Sequence, residues 1–130
     1  MTPATTAQNA YSSAARTTGT PRAIEYKVFS QVTAALMRAE KNKDKDKTNF
    51  ITALSKNLQL WTVLGADAAN ENNQLTDTLR GQVFYLFEFT RDHTNKILSG
   101  QSDLSAAPLI DINNAIISGL RSTAKEEEVL

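Results

Sequence analysis

Residues 48–68 read TNFITALSKNLQLWTVLGADA, and the spacing of their apolar side chains decides the fold. At about 100° per residue, Phe50, Ile51, Leu54, Leu58, Trp61, Leu64 and Ala68 fall on one face. That is the stripe of an amphipathic helix facing a core. Thr48 stands where an N-cap is expected, because its hydroxyl can accept from an unpaired backbone N–H of the first turn. Upstream, Glu40 to Lys47 holds no apolar residue and reads as a solvated loop whose alternating charges nearly cancel. Before it, Thr20-Pro21 supplies a cap and a first-turn proline. The helix that follows runs to about Glu40, with Ile24, Val28, Val32, Ala35 and Ala39 on its stripe and Phe29 and Leu36 flanking it.

Downstream, Ala69 to Gln74 is a polar connection and Thr76 a third cap. Leu79, Val83, Leu86, Phe87, Thr90 and Ile97 form the next stripe, and Ser99-Gly100 closes it, since glycine takes the left-handed conformation at a helix end. Pro108 opens a fourth helix with Leu109, Ile112, Ile116 and Leu120 on one face, widened by Ile110 and Ile117. Val83 to Phe89 is the one apolar run that could mimic a strand. The expected fold is therefore all-α, a compact four-helix bundle. Residues 1–20, rich in Ala, Thr and Ser with Tyr11 as the bulky apolar residue, bury too little to offset their ordering entropy and read as a flexible N-terminal arm. Residues 21–121 form the single helical domain, and 122–130, with Glu126 to Glu128, a solvated tail.

Composition narrows the function. A chain of 130 residues, 41% hydrophobic and 22% charged, has the make-up of one globular domain. Fourteen basic residues balance fourteen acidic ones, which argues against nucleic acid as a partner and against steering toward anionic membranes. The absence of cysteine excludes disulfides, thiolate metal sites and cysteine nucleophiles. No stretch approaches the ~20 apolar residues of a membrane span, and no signal-peptide pattern opens the chain, so the cytoplasm is the expected location.

The residues of chemistry are sparse. His93 is the only histidine, so no imidazole pair can hold zinc. Glu88 and Asp92 stand one turn apart, but Arg91 and Lys96 are placed to pair with them as a solvated helix face. No nucleophile elbow or phosphate-binding loop occurs. Trp61, the only tryptophan, sits in mid-stripe, where core packing is its expected task. No enzyme, no metal and no cofactor are expected, with a protein-binding role in their place. Tyr26, Met37, Leu60, Val63, Phe84 and Tyr85 lie off the main stripes. If they converge, they make an apolar groove for a partner helix.

Two segments carry a family resemblance. Asn57-Leu-Gln-Leu-Trp61 resembles the N-x-x-L-W signature of the FlaF family of alphaproteobacterial flagellar biosynthesis regulators. Leu109-Ile-Asp-Ile-Asn113, with Ile116 and Gly119-Leu-Arg121, resembles its second signature, L-I-D-I-N-x-x-I-x-x-G-L. Tyr11, Pro21 and Glu25 are similar to its N-terminal pattern, and the resemblance spans roughly residues 8 to 121. It implies a factor that promotes flagellin synthesis and secretion opposite a second small regulator, FlbT. Flagellin is then the expected partner, bound unassembled as by a chaperone or export factor, and FlbT a second candidate. The competing reading is a post-transcriptional regulator acting on the flagellin messenger directly or through FlbT. In the bundle itself, Asn57 and Asn113 are expected to hydrogen-bond within or between helices, and Asp111 to favour the positive end of the fourth helix.

Overall fold

A computed structural model describes residues 3–5, 22–69, 77–100 and 104–129, and among them it is all-helical, without a strand. Four long helices follow in order: α1 Arg22–Lys41, α2 Lys47–Ala69, α3 Asp77–Leu98 and α4 Ala107–Val129. The expected caps at Thr20 and Thr76, most of the N-terminal arm, and the side chains of Ile24, Leu79 and Leu120 lie outside the described residues. Residues 3–5 are helical, and Pro3 and Ala4 border a shallow hollow shared with Pro108 and Asp111 of α4.

The helix ends follow from local chemistry. Asp46 rather than Thr48 caps α2: its carboxylate accepts from the Asn49 N–H at 3.0 Å, and its carbonyl takes the first helical bond, from Phe50 N, at 3.2 Å. A carboxylate there also suits the positive helix end. Asn42 closes α1, its amide donating to the Arg38 carbonyl at 3.0 Å. Gly100 ends α3 with φ 96°, the left-handed geometry expected of it. Ser105 Oγ accepts from Ala107 N at 3.1 Å, and Pro108 sits in the first turn of α4, where its missing N–H costs no helical bond. At the other end α4 continues through Val129, so residues 122–129 are its last turns; Ala124, Lys125 and the three glutamates are good helix formers.

α1 packs against both α2 and α4, and α2 also against α3, while the backbones of α3 and α4 approach one another only sparsely. α1 and α2 run antiparallel: Lys43 lies over the Phe50 ring at one end, 5.8 Å from its centroid, and Phe29 meets Trp61 edge-on, centroids 6.1 Å apart, toward the other. Two apolar clusters fill the interior. One gathers Phe29, Trp61, Leu86, Ile112 and Ile116, from all four helices. The second gathers Leu36, Ala39, Phe50, Ala53, Leu54, Ala106 and Leu109, with Ile97 of α3 packed against it.

The α1 stripe is turned relative to the sequence reading. Phe29, Thr33, Leu36 and Ala39 are its buried line, and Val28 is 39% exposed. The two bulkiest apolar side chains take the centre and push the valine to the rim. On α2 the line is Phe50, Ala53, Leu54, Asn57, Trp61, Gly65 and Ala68, and Ile51 is 47% exposed. Gly65 explains the turn: a Cβ there would stand 2.7 Å from Phe87 Cγ, so α3 is seated directly on the backbone of α2.

Trp61 is fully buried and holds both its ring contact and a hydrogen bond. Replacing it by alanine is expected to lower unfolding free energy by about 3–5 kcal/mol, measured by urea denaturation; a change near zero would contradict the core assignment.

Candidate protein-binding surface

The family-signature residues meet inside the protein. The Trp61 indole N–H donates to Asn113 Oδ1 at 3.0 Å, and Asn113 Nδ2 donates to Asn57 Oδ1 at 2.7 Å. An indole can only donate, so it fixes the orientation of the Asn113 amide and, through it, that of Asn57. All three side chains are fully buried. Asn57 and Asn113 therefore join α2 to α4, as hydrogen bonding between helices required, and they are not a surface for a partner. Asp111 is exposed in the first turns of α4.

The residues proposed for a groove are distributed over the molecule. Tyr26 and Leu60 pack, half-buried, against the cluster around Trp61. Met37 is 40% exposed and lies on α1 beside Leu36 of the other cluster. Val63 is 63% exposed on α2. Phe84 and Tyr85, 38% and 49% exposed, project from α3 near the Trp61 end. Eight residues of helix, about 12 Å, separate Met37 from the level of Phe29, so Met37 belongs to a different end from Phe84 and Tyr85.

Phe84 has a built surround. Its ring meets Phe87 edge-on, centroids 5.7 Å apart, and the Arg91 guanidinium lies over Phe87 at 5.3 Å. Arg91, expected to pair with Glu88, thus covers an aromatic face, whereas Asp92 and Lys96 do pair, at 3.0 Å. Beside Phe84 a shallow hollow of about 330 Å³ is floored by Ala68, Ala69 and Gly81. Arg80 walls it, donating from Nε to the Ala68 carbonyl at 2.7 Å and from Nη2 to the Ala69 carbonyl at 3.3 Å. These bonds satisfy the last carbonyls of α2 and place a cation at its negative end. A Cβ at position 81 would meet nothing within 4 Å, so this stretch of α3 faces open space.

A second apolar groove, of about 360 Å³, lies at the opposite end between the start of α2 and the end of α3. Ile51, Leu54, Ile97, Leu98 and Leu104 line it, together with the charged residues Lys43, Asp44 and Lys47. Ile51 and Leu98 are about half exposed there, 47% and 45%. The sequence reading assigned Ile51 to the core; its place at the edge of the stripe was the available signal. Glu40 was missed as well: it accepts from Ala106 N at 3.2 Å and pairs with Lys43 at 3.0 Å, tying the α1 end to the entry of α4. His93 makes a similar tie, its Nε2–H donating to the Ser105 carbonyl at 2.8 Å while its ring stacks on Phe89 at 5.9 Å.

Among the described residues no group of three or more His, Asp or Glu could hold a metal ion, and no helix is long and apolar enough to cross a membrane. The geometry leaves apolar surface exposed on a helical scaffold among the described residues. The chain belongs to the flagellar protein FlaF family, whose model matches residues 7–120. No curated protein and no solved structure matches it.

The seat of α3 on α2 can be tested directly. Gly65→Ala gains about 1 kcal/mol of helix propensity but forces Phe87 aside, an overpacking cost of about 1–3 kcal/mol. The expected outcome of thermal melts is net destabilisation by Gly65→Ala, and a smaller loss from Gly65→Ala when it is made in a Phe87→Ala background, which lacks the Cγ and Cδ atoms of the contact. A loss of equal size in both backgrounds would contradict the contact.

Proposed function

We propose that this FlaF-family protein promotes flagellin synthesis and secretion in the cytoplasm by binding unassembled flagellin, as a chaperone or export factor. In this reading the four helices form one compact bundle that serves as a rigid platform. Flagellin's terminal regions are amphipathic and helical only once assembled, so before export they need an apolar surface to cover them. The observation that carries the reading is on α3, where Phe84 stands exposed beside the Ala68–Gly81 hollow and the next residue, Tyr85, is also exposed. Exposed aromatics on a fixed scaffold are the residue types over-represented among binding anchors. The balanced charge weighs against the competing reading of direct action on the flagellin messenger, because such binding draws on an excess of basic residues.

Purified protein titrated with monomeric flagellin, FlbT and flagellin messenger in parallel separates the readings. Flagellin is expected to bind, and Phe84→Ala or Tyr85→Ala, in protein shown by circular dichroism to remain folded, is expected to weaken it at least about tenfold, roughly 1.4 kcal/mol. Unchanged affinity in both folded variants would remove this face from the account. A specific messenger complex that survives physiological salt, where phosphate contacts weaken steeply, would favour the post-transcriptional reading instead.

A further inference from the structure

Between the two apolar clusters runs a seam of buried polar side chains: Thr33, Asn57, Thr90, Thr94 and Asn113. Contacts across each helix pair fix their heights. On α2 and α3, Gly65 faces Phe87 and Leu54 shares a groove with Ile97, which sets Asn57 opposite Thr94 and Trp61 opposite Thr90. On α1 and α4, Glu40 reaches Ala106, and seven residues along each helix Thr33 stands opposite Asn113. Four helices thus bring their polar residues to one level, with Thr90 a turn away.

Only part of this seam is paired. Asn113 is satisfied by Trp61 and Asn57, but Asn57 Nδ2 and the hydroxyls of Thr33, Thr90 and Thr94 have no hydrogen-bond partner among the described residues. A local solution exists for a helical threonine. Thr52 and Thr62, on the exposed side of α2, donate to the carbonyls four residues earlier at 3.0 and 2.7 Å. The buried threonines do not adopt it. Buried polar groups left without partners are rare and costly.

We infer that the seam is a hydration site, in which one or two internal water molecules link Asn57 Nδ2 to the hydroxyls of Thr33 and Thr94 and extend to Thr90. The donor and acceptor count suits water. The amide N–H groups of Asn57 need an acceptor, and each hydroxyl can receive one hydrogen bond and give another. A metal cation is disfavoured because Asn57 turns a donor toward the site. An anion would find no compensating charge, since no charged side chain is among the described buried residues. A site of this kind needs room and two to four polar partners per water; the seam supplies the partners, and the room comes from small shifts of the threonine side chains. The water joins α3 to the Asn57–Asn113 pair where α3 and α4 scarcely touch.

Water–protein cross-relaxation by NMR on the full chain, beside Thr33→Val and Thr94→Val, tests the assignment. The expected result is a long-lived water signal at the Asn57 side-chain amide that weakens in at least one variant, with a lowered denaturation midpoint in the same variant. Absence of that signal in the unmodified protein would overturn the inference whatever the variants do. So would a signal unchanged in both variants, or midpoints that rise in both, since removing a truly unpaired hydroxyl relieves the fold.

Discussion

Asn57 and Asn113 face each other across the centre of the protein at 2.7 Å, and the indole N–H of Trp61 holds Asn113 in the one orientation that makes this bond. The rest of the architecture depends on the pairing. Apolar clusters tolerate sliding, because burial is proportional to area and has no direction. An amide in the core has direction: displacing α4 by one residue against α2 would leave two buried amides and an indole unpaired, each at about 1–3 kcal/mol. The polar bonds therefore specify register, while the clusters on either side supply the bulk of the burial energy. The same logic accounts for Glu40 and His93, which pin the entry of α4 to the ends of α1 and α3.

Much of this was legible in the sequence. Helical periodicity placed four helices and the loop between α1 and α2 close to their observed bounds, except that α4 runs on through Val129 where a tail was expected after residue 121. Apolar spacing is set by the same 3.6-residue turn that builds the helix, and the charged last turns of α4 carry no apolar stripe. Trp61 read as core, and Gly100 as a left-handed stop. The rotation of each helix was less legible. Periodicity locates a stripe to within about one residue, and the choice between Val28 and Phe29, or Ile51 and Ala53, was settled by side-chain volume and by the close approach of Gly65 to Phe87. Asp46 outcompeted Thr48 as cap because a carboxylate adds charge stabilisation to the hydrogen bond. Long-range partners such as Glu40 with Ala106 carry no periodic signal at all.

The candidate binding surface divides along similar lines. Exposure of Met37, Val63, Phe84 and Tyr85 followed from their off-stripe positions, whereas Tyr26 and Leu60 fold inward against the Trp61 cluster because large side chains on a stripe's shoulder can lean over it. The hollow beside Phe84 rests on Gly81, Ala68 and Ala69, small residues that mark a place where backbone is open to contact. A platform of this kind asks rigidity of the scaffold beneath it, and Phe84 stands on Phe87, which in turn sits on Gly65. The polar centre and the apolar face are thus parts of one arrangement: the first sets how α2 and its neighbours are aligned, and the second displays the surface that follows from that alignment.

A double-mutant cycle between positions 57 and 113 tests the central claim most directly. Unfolding free energies would be measured for the unmodified chain, Asn57→Ala, Asn113→Ala and the double variant. A buried, register-setting pair predicts a coupling energy of about 1 kcal/mol or more, the second substitution costing much less once the first is made. Additive losses, agreeing within about 0.5 kcal/mol, would contradict the account and leave the apolar clusters to set the fold on their own.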